Sequence, residues 1–132
     1  MRFGFAGLPG DPSGVARPVV RLGLVQSADF ELACLIDTGT VHNRFGAWIA
    51  DEAGIDLTGV PTQRLGIGGI VVEARTVAVG LRLQDFEWEA PVSFCSPWPF
   101  GYQLLGLEGF FRWFAVTIRA ADLVVDIEPI GR

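Results

Sequence analysis

Asp37-Thr38-Gly39 closes the apolar run Leu32-Ala33-Cys34-Leu35-Ile36. The run reads as a buried strand, so Asp37 stands at its mouth, and Gly39 permits a tight turn there. A lone carboxylate is costly in such a place, and a chain that keeps one uses it or pairs it. What a carboxylate offers is proton transfer, as acid or as base. The other reactive side chains offer less. There is one histidine, His42, so a His-rich zinc site cannot form. A Cys–His or Ser–His nucleophile would need that same residue, which reads as a solvent-exposed turn histidine. Gly66-Ile67-Gly68-Gly69 invites comparison with phosphate-binding loops, but Val71 follows where a dinucleotide fingerprint needs its third glycine. Asn43-Arg44-Phe45 is not a glycosylation acceptor.

The elements that would position Asp37 can be read outward from it. Pro18 to Gln26 alternates around Val20, Leu22 and Leu24 and predicts a strand. Ser27-Ala28-Asp29 predicts a turn and Phe30 to Ile36 a second strand, the two forming a hairpin that delivers Asp37. Phe45, Trp48, Ile49, Ala53 and Ile55 recur at helical spacing, with Gly54 as the stop. A hairpin then rises to Gly66–Gly69 and falls from Ile70 to Val79. Gly80 to Gln84, Phe86 to Glu89 and Pro91 to Cys95 read as short strands, and Pro97-Trp98-Pro99 as a rigid loop. Gly106 to Phe114 predicts a short helix, Ala115 to Ile118 a strand, and Asp122 to Ile127 a terminal strand. Asp85, Glu87 and Glu89 read as the wet face of a strand, and Asp51, Glu52 and Asp56 as a solvated helix face. Trp88, Trp98 and Trp113 are candidates for core or dimer contacts.

Size and composition agree with an all-β domain. The chain has 132 residues, half of them hydrophobic, with 17 Gly and 8 Pro, which favours short strands and many turns. A net charge of −5 argues against nucleic acid as a partner. No apolar run is long enough for a bilayer, and the N-terminus lacks the apolar core of a signal peptide, so a cytoplasmic location is expected. Cys34 and Cys95 lie in apolar runs and read as buried free thiols.

Three segments, in this order, carry a resemblance to a known family. Leu35-Ile36-Asp37-Thr38-Gly39-Thr40 is similar to an active-site loop. Leu65-Gly66-Ile67-Gly68-Gly69-Ile70 is similar to the tip of a flap hairpin. Leu104-Leu105-Gly106, with Leu107-Glu108-Gly109-Phe110-Phe111 after it, is similar to an apolar-apolar-Gly element and its short helix. From about Val19 to Pro129 the chain resembles the single-domain, bacterial-type retropepsin-like aspartic proteases of clan AA, relatives of the pepsins. The resemblance implies a small closed acid-protease barrel with one or two short helices, assembled as a two-fold homodimer. Residues 15–132 would form that domain, preceded by an N-terminal segment, 1–14, with a short strand and a loop.

The implied activity is aspartic endopeptidase. Two carboxylates share one proton around a water molecule, one as base and the other as acid. With a single Asp-Thr-Gly, the second carboxylate must be Asp37 of another copy. By the same resemblance Thr38 would bind across the dimer axis through its hydroxyl. Gly39 would present its N–H to the carboxylate. Thr40 could donate to the outer oxygen of Asp37. Gly66, Ile67, Gly68, Gly69 and Ile70 would cover a peptide or protein substrate. Leu104, Leu105 and Gly106 would pack behind the loop. The terminal segments, Met1–Phe5 and Leu123–Ile127, would supply a dimer sheet. Leu107-Glu108 departs from the family, in which Arg or Met often precedes Asp or Asn, and this bears on dimer stability. No metal and no cofactor are implied. The rival reading is a protease-like domain that binds peptides or dimerises without cutting; a soluble barrel with a chance Asp-Thr-Gly ranks below it.

Overall fold

Alternating burial builds the barrel. The computed structural model describes residues 1–131. In strand β4 (Val19–Leu24) Val20, Leu22 and Leu24 turn inward while Arg21 faces solvent. Three short strands precede it: β1 (Arg2–Gly4), β2 (Ala6–Gly7) and β3 (Ala16–Arg17). After β4 come β5 (Ser27–Ile36), β6 (Asn43–Gly46), helix α1 (Ala47–Ala53), β7 (Gln63–Ile67), β8 (Ile70–Leu83) and β9 (Phe86–Ser96). The chain ends with β10 (Gln103–Leu105), a single π-type helical turn (Leu107–Phe111), β11 (Phe114–Arg119), a 3-10 turn (Ala120–Asp122) and β12 (Val124–Pro129).

Six strands close on themselves in the order β4-β5-β10-β6-β9-β8, with β8 returning to β4 at Gly23↔Arg82 and Leu24↔Leu81. Strand β7 hangs from β8 as a hairpin, at the place expected for a flap. Closure removes most free edges. Inside lies one continuous core that includes Leu22, Leu24, Phe45, Ile49, Leu81, Leu83, Leu105 and Ile127. Its aromatic centre packs edge-on: Trp88 against Phe114 at 4.9 Å between centroids and Phe45 against Phe94 at 6.1 Å. A smaller cluster of Val72, Ala74 and Cys95, with Leu65, Ile67 and Ile70 against it, supports the flap. Cys34 and Cys95 are both free and buried.

Several predicted boundaries move. The turn between β4 and β5 falls at Val25-Gln26, and Ser27-Ala28-Asp29 already belongs to β5. Phe45 lies in β6 rather than on the helix, and Asp56 lies beyond the helix end. Gly54 stops α1 in the left-handed conformation, φ +72°. Two pairs of predicted strands merge into β8 and β9. The helix after Gly106 is only five residues long, and Phe114 begins β11. The terminal segments pair with each other within the chain: Arg2↔Asp126, Phe3↔Val125 and Gly4↔Val124 are antiparallel partners. Arg2 and Asp126 reinforce that pairing with a two-pronged ion pair, Nε–Oδ1 at 2.7 Å and Nη2–Oδ2 at 3.1 Å. Among the described residues no helix is long and apolar enough to cross a membrane.

Candidate active site

Asp37 leaves β5 where β10 has been inserted between β5 and β6. Strand β10 runs parallel to β5 and antiparallel to β6, so two strands consecutive in sequence flank a third from far along the chain. The arrangement fixes the start of the loop: the Asp37 N–H donates to the Leu105 carbonyl at 2.9 Å. The loop then folds back on its own acid. The Gly39 N–H donates to Asp37 Oδ1 at 2.8 Å, and a Cβ on Gly39 would stand 3.0 Å from that oxygen. Asp37 is half-buried, while Thr38 and Gly39 are exposed.

Thr40 points elsewhere than expected. It is buried, its hydroxyl donates to the His42 carbonyl at 3.2 Å, and it accepts from Arg44 Nε. The hydroxyl is thereby committed to the base of the loop and donates to no oxygen of Asp37. His42 is half-buried rather than exposed, and its Nδ1 is buried without a partner.

The back of the loop is clamped to the segment after β10. Leu107 N–H donates to the Thr40 carbonyl at 2.9 Å and Glu108 N–H to the Val41 carbonyl at 2.7 Å. Gly106 is pressed so close that a Cβ would lie 2.6 Å from the carbonyl oxygens of both Thr40 and His42. Asn43, fully buried, joins both sides of this contact. Its Oδ1 accepts from the Gly106 N–H at 3.0 Å, and its Nδ2 donates to the Gly109 carbonyl at 3.1 Å. Trp88 Nε1 donates to the same carbonyl at 2.9 Å. Gln103 ties the far end of β6, accepting from the Gly46 N–H at 2.8 Å. Asn43, Gln103 and Arg44 were not among the predicted site residues. Their only sequence signal is polar character within strand-forming runs, which becomes meaningful once burial is known.

The β7–β8 hairpin reaches the loop. Gly68 and Gly69, at φ +55° and +83°, make the two-residue turn that joins β7 to β8 across Ile67↔Ile70. A cleft of about 180 Å³ lies between hairpin and loop, lined by Asp37, Gly39, Thr40, Arg44, Gly66, Ile67, Gly68 and Leu104. Of the predicted residues, Thr38, Gly69, Ile70, Leu105 and Gly106 lie outside this lining; Leu105 is core and Ile70 packs beneath the flap. Phe100 touches the flap tip, 3.5 Å from where a Gly68 Cβ would be, and also walls a larger hollow of about 490 Å³ that does not contain Asp37. Asp37 is the one acid lining the cleft.

Solved structures share this fold. A retropepsin-like aspartic protease from Rickettsia conorii superposes with a TM-score of 0.62 at 15% identity, covering 99% of this chain and 94% of that one. The fold is retropepsin-like. The retroviral protease-like domain of Ddi1 from Leishmania major agrees, with a TM-score of 0.60 at 13% identity, covering 87% of this chain and 96% of that one. No family model and no curated protein sequence matches the chain. At these identities the likeness lies in the retropepsin-like fold, and the chemistry must be argued from the cleft itself.

Proposed function

We propose that this chain is an aspartic endopeptidase whose site is completed by a second copy. The observation that carries the reading is the Asp37 carboxylate, oriented by the Gly39 N–H and facing the glycine tip of a hairpin across a cleft. One carboxylate per cleft is half of an acid–base pair, so the reading requires a two-fold dimer. Thr38, Val41 and Leu107 are exposed around the loop, which leaves hydroxyl and apolar surface for such a contact.

In the dimer the two Asp37 carboxylates share one proton. The ionised one takes a proton from water as the water oxygen attacks the peptide carbonyl carbon. The protonated one gives its proton to the carbonyl oxygen. Collapse of the tetrahedral intermediate breaks the C–N bond: the leaving nitrogen takes a proton from the protonated carboxyl, and a hydroxyl of the intermediate gives its proton to the ionised one, which restores the shared-proton pair. Asp37→Asn tests this. Cleavage of a peptide library by wild type, lost in a variant that still sediments as a dimer, supports the enzyme. A dimer that binds peptides and never cuts them supports the non-catalytic reading instead.

A further inference from the structure

The cleft holds a cation that the proposed reaction does not use. Arg44 lines it beside Asp37. Its backbone is fixed on both sides, paired with Leu104 of β10 and Ser93 of β9. Thr40 Oγ1 holds the guanidinium by Nε. Its Nη1 is buried with no oxygen or nitrogen partner, and the Cys95 thiol lies within hydrogen-bonding reach of the guanidinium. A guanidinium is charged at any working pH and carries five donors, and with Nε committed to Thr40 the part that lines the cleft still has donors to offer. Among the described residues Arg44 joins no ion pair. Its neighbour Cys95 does not neutralise it: burial pushes that thiol up to about 11 although Arg44 acts to lower it, so the sulfur stays uncharged near neutral pH. Asp37, the only acid in the lining, forms no ion pair with Arg44.

We infer that Arg44 is a specificity-determining residue that binds a carboxylate of the peptide substrate close to the scissile bond. A planar guanidinium anchored through one nitrogen retains donors suited to a carboxylate. The dimer would carry two such groups, one per copy. The inference rests on the cleft being the substrate site. It does not rest on turnover, because it concerns recognition by the cleft wall.

Binding to the Asp37→Asn protein reads the inference apart from catalysis. The probes are fluorescein-labelled decapeptides carrying Glu or Gln at each position in turn, made with free and with amidated C-termini. Anisotropy would be measured at pH about 6, above the ordinary carboxylate range. The expected result is a position at which Glu binds roughly ten- to a hundredfold tighter than Gln, the size of a charge-assisted hydrogen bond. Arg44→Gln should abolish that ratio and Arg44→Lys should keep part of it. Tighter binding of only the free C-termini would place the bound carboxylate at the chain end. Equal affinity for all Glu and Gln forms and both termini, or no binding at all, by an Asp37→Asn protein that circular dichroism shows folded and sedimentation shows dimeric, overturns the inference. Wild-type cleavage of the same peptides separates the two claims. Cutting without an acid preference sinks the Arg44 role alone; an acid preference without cutting sinks the peptidase alone.

Discussion

Asn43 and Gly109 form a contact whose energetics can be worked out atom by atom. A methyl on Gly109 would stand 2.2 Å from Asn43 Cγ, inside any tolerable contact. Gly109 is not in a left-handed conformation, so alanine suits its backbone, and the three atoms nearest to the new methyl all belong to the asparagine. Asn43→Ala removes two hydrogen bonds, worth about 1 kcal/mol each, and strands the buried Gly106 N–H at about 1–3 kcal/mol. The expected loss is about 3–5 kcal/mol, a large share of a typical total of about 5–15. Gly109→Ala must expel the same side chain and should cost at least as much. The double variant has no asparagine to expel, and its new methyl fills part of the vacated space. It should therefore lose no more than Asn43→Ala alone, where simple additivity predicts about twice that. Urea denaturation at fixed protein concentration measures all four proteins. Additive losses would refute the reasoning, because they would mean that the two residues do not compete for one space.

Two further predictions concern the flap and the terminal sheet. Gly68→Ala puts a side chain at φ +55° and should cost about 1–2 kcal/mol in urea denaturation; no measurable loss would mean that the tip is not held in a left-handed turn. The Arg2 guanidinium beside Asp126 holds that carboxyl below its usual range, helped by Arg119. The folded value is depressed, so the stabilisation is present above the unfolded value of about 3.9 and fades as pH falls through the folded one. Asp126→Asn should flatten the acid limb of the stability curve in thermal melts between pH about 2 and 6, and an unchanged limb would remove Asp126 from the account.

The parts legible in the sequence are those set by local chemistry. An acid ending an apolar run, and a Gly-Gly pair between two β-forming segments, need no distant partner to be recognised, and both reappear across the cleft from each other. Gly54 was legible as a helix stop for the same reason. What was not legible depends on pairing across long separations. Nothing near Asp37 announces that Leu104-Leu105 will lie between β5 and β6. Gly80 looked like a strand break, yet it keeps β8 continuous: a Cβ there would press on Val25 at 3.0 Å, so glycine permits a close approach. Pro91 looked like another break but falls just before the part of β9 that β6 pairs, beginning at Val92. The Thr40 hydroxyl was misread because its partners, the His42 carbonyl and Arg44, become neighbours only once the loop is folded.

The central claim is that two copies of Asp37 make one site, and a mixing experiment tests it most directly. Wild-type and Asp37→Asn chains would be unfolded together, refolded at equal amounts, and assayed for peptide cleavage between pH about 4 and 6, where a shared-proton carboxylate pair is expected to work. If both carboxylates of a two-fold dimer are needed, about a quarter of the pairs are fully wild type, and activity falls to about a quarter of that of the same total of wild-type chains. Activity of about one half would mean that each chain works alone, contradicting the shared site.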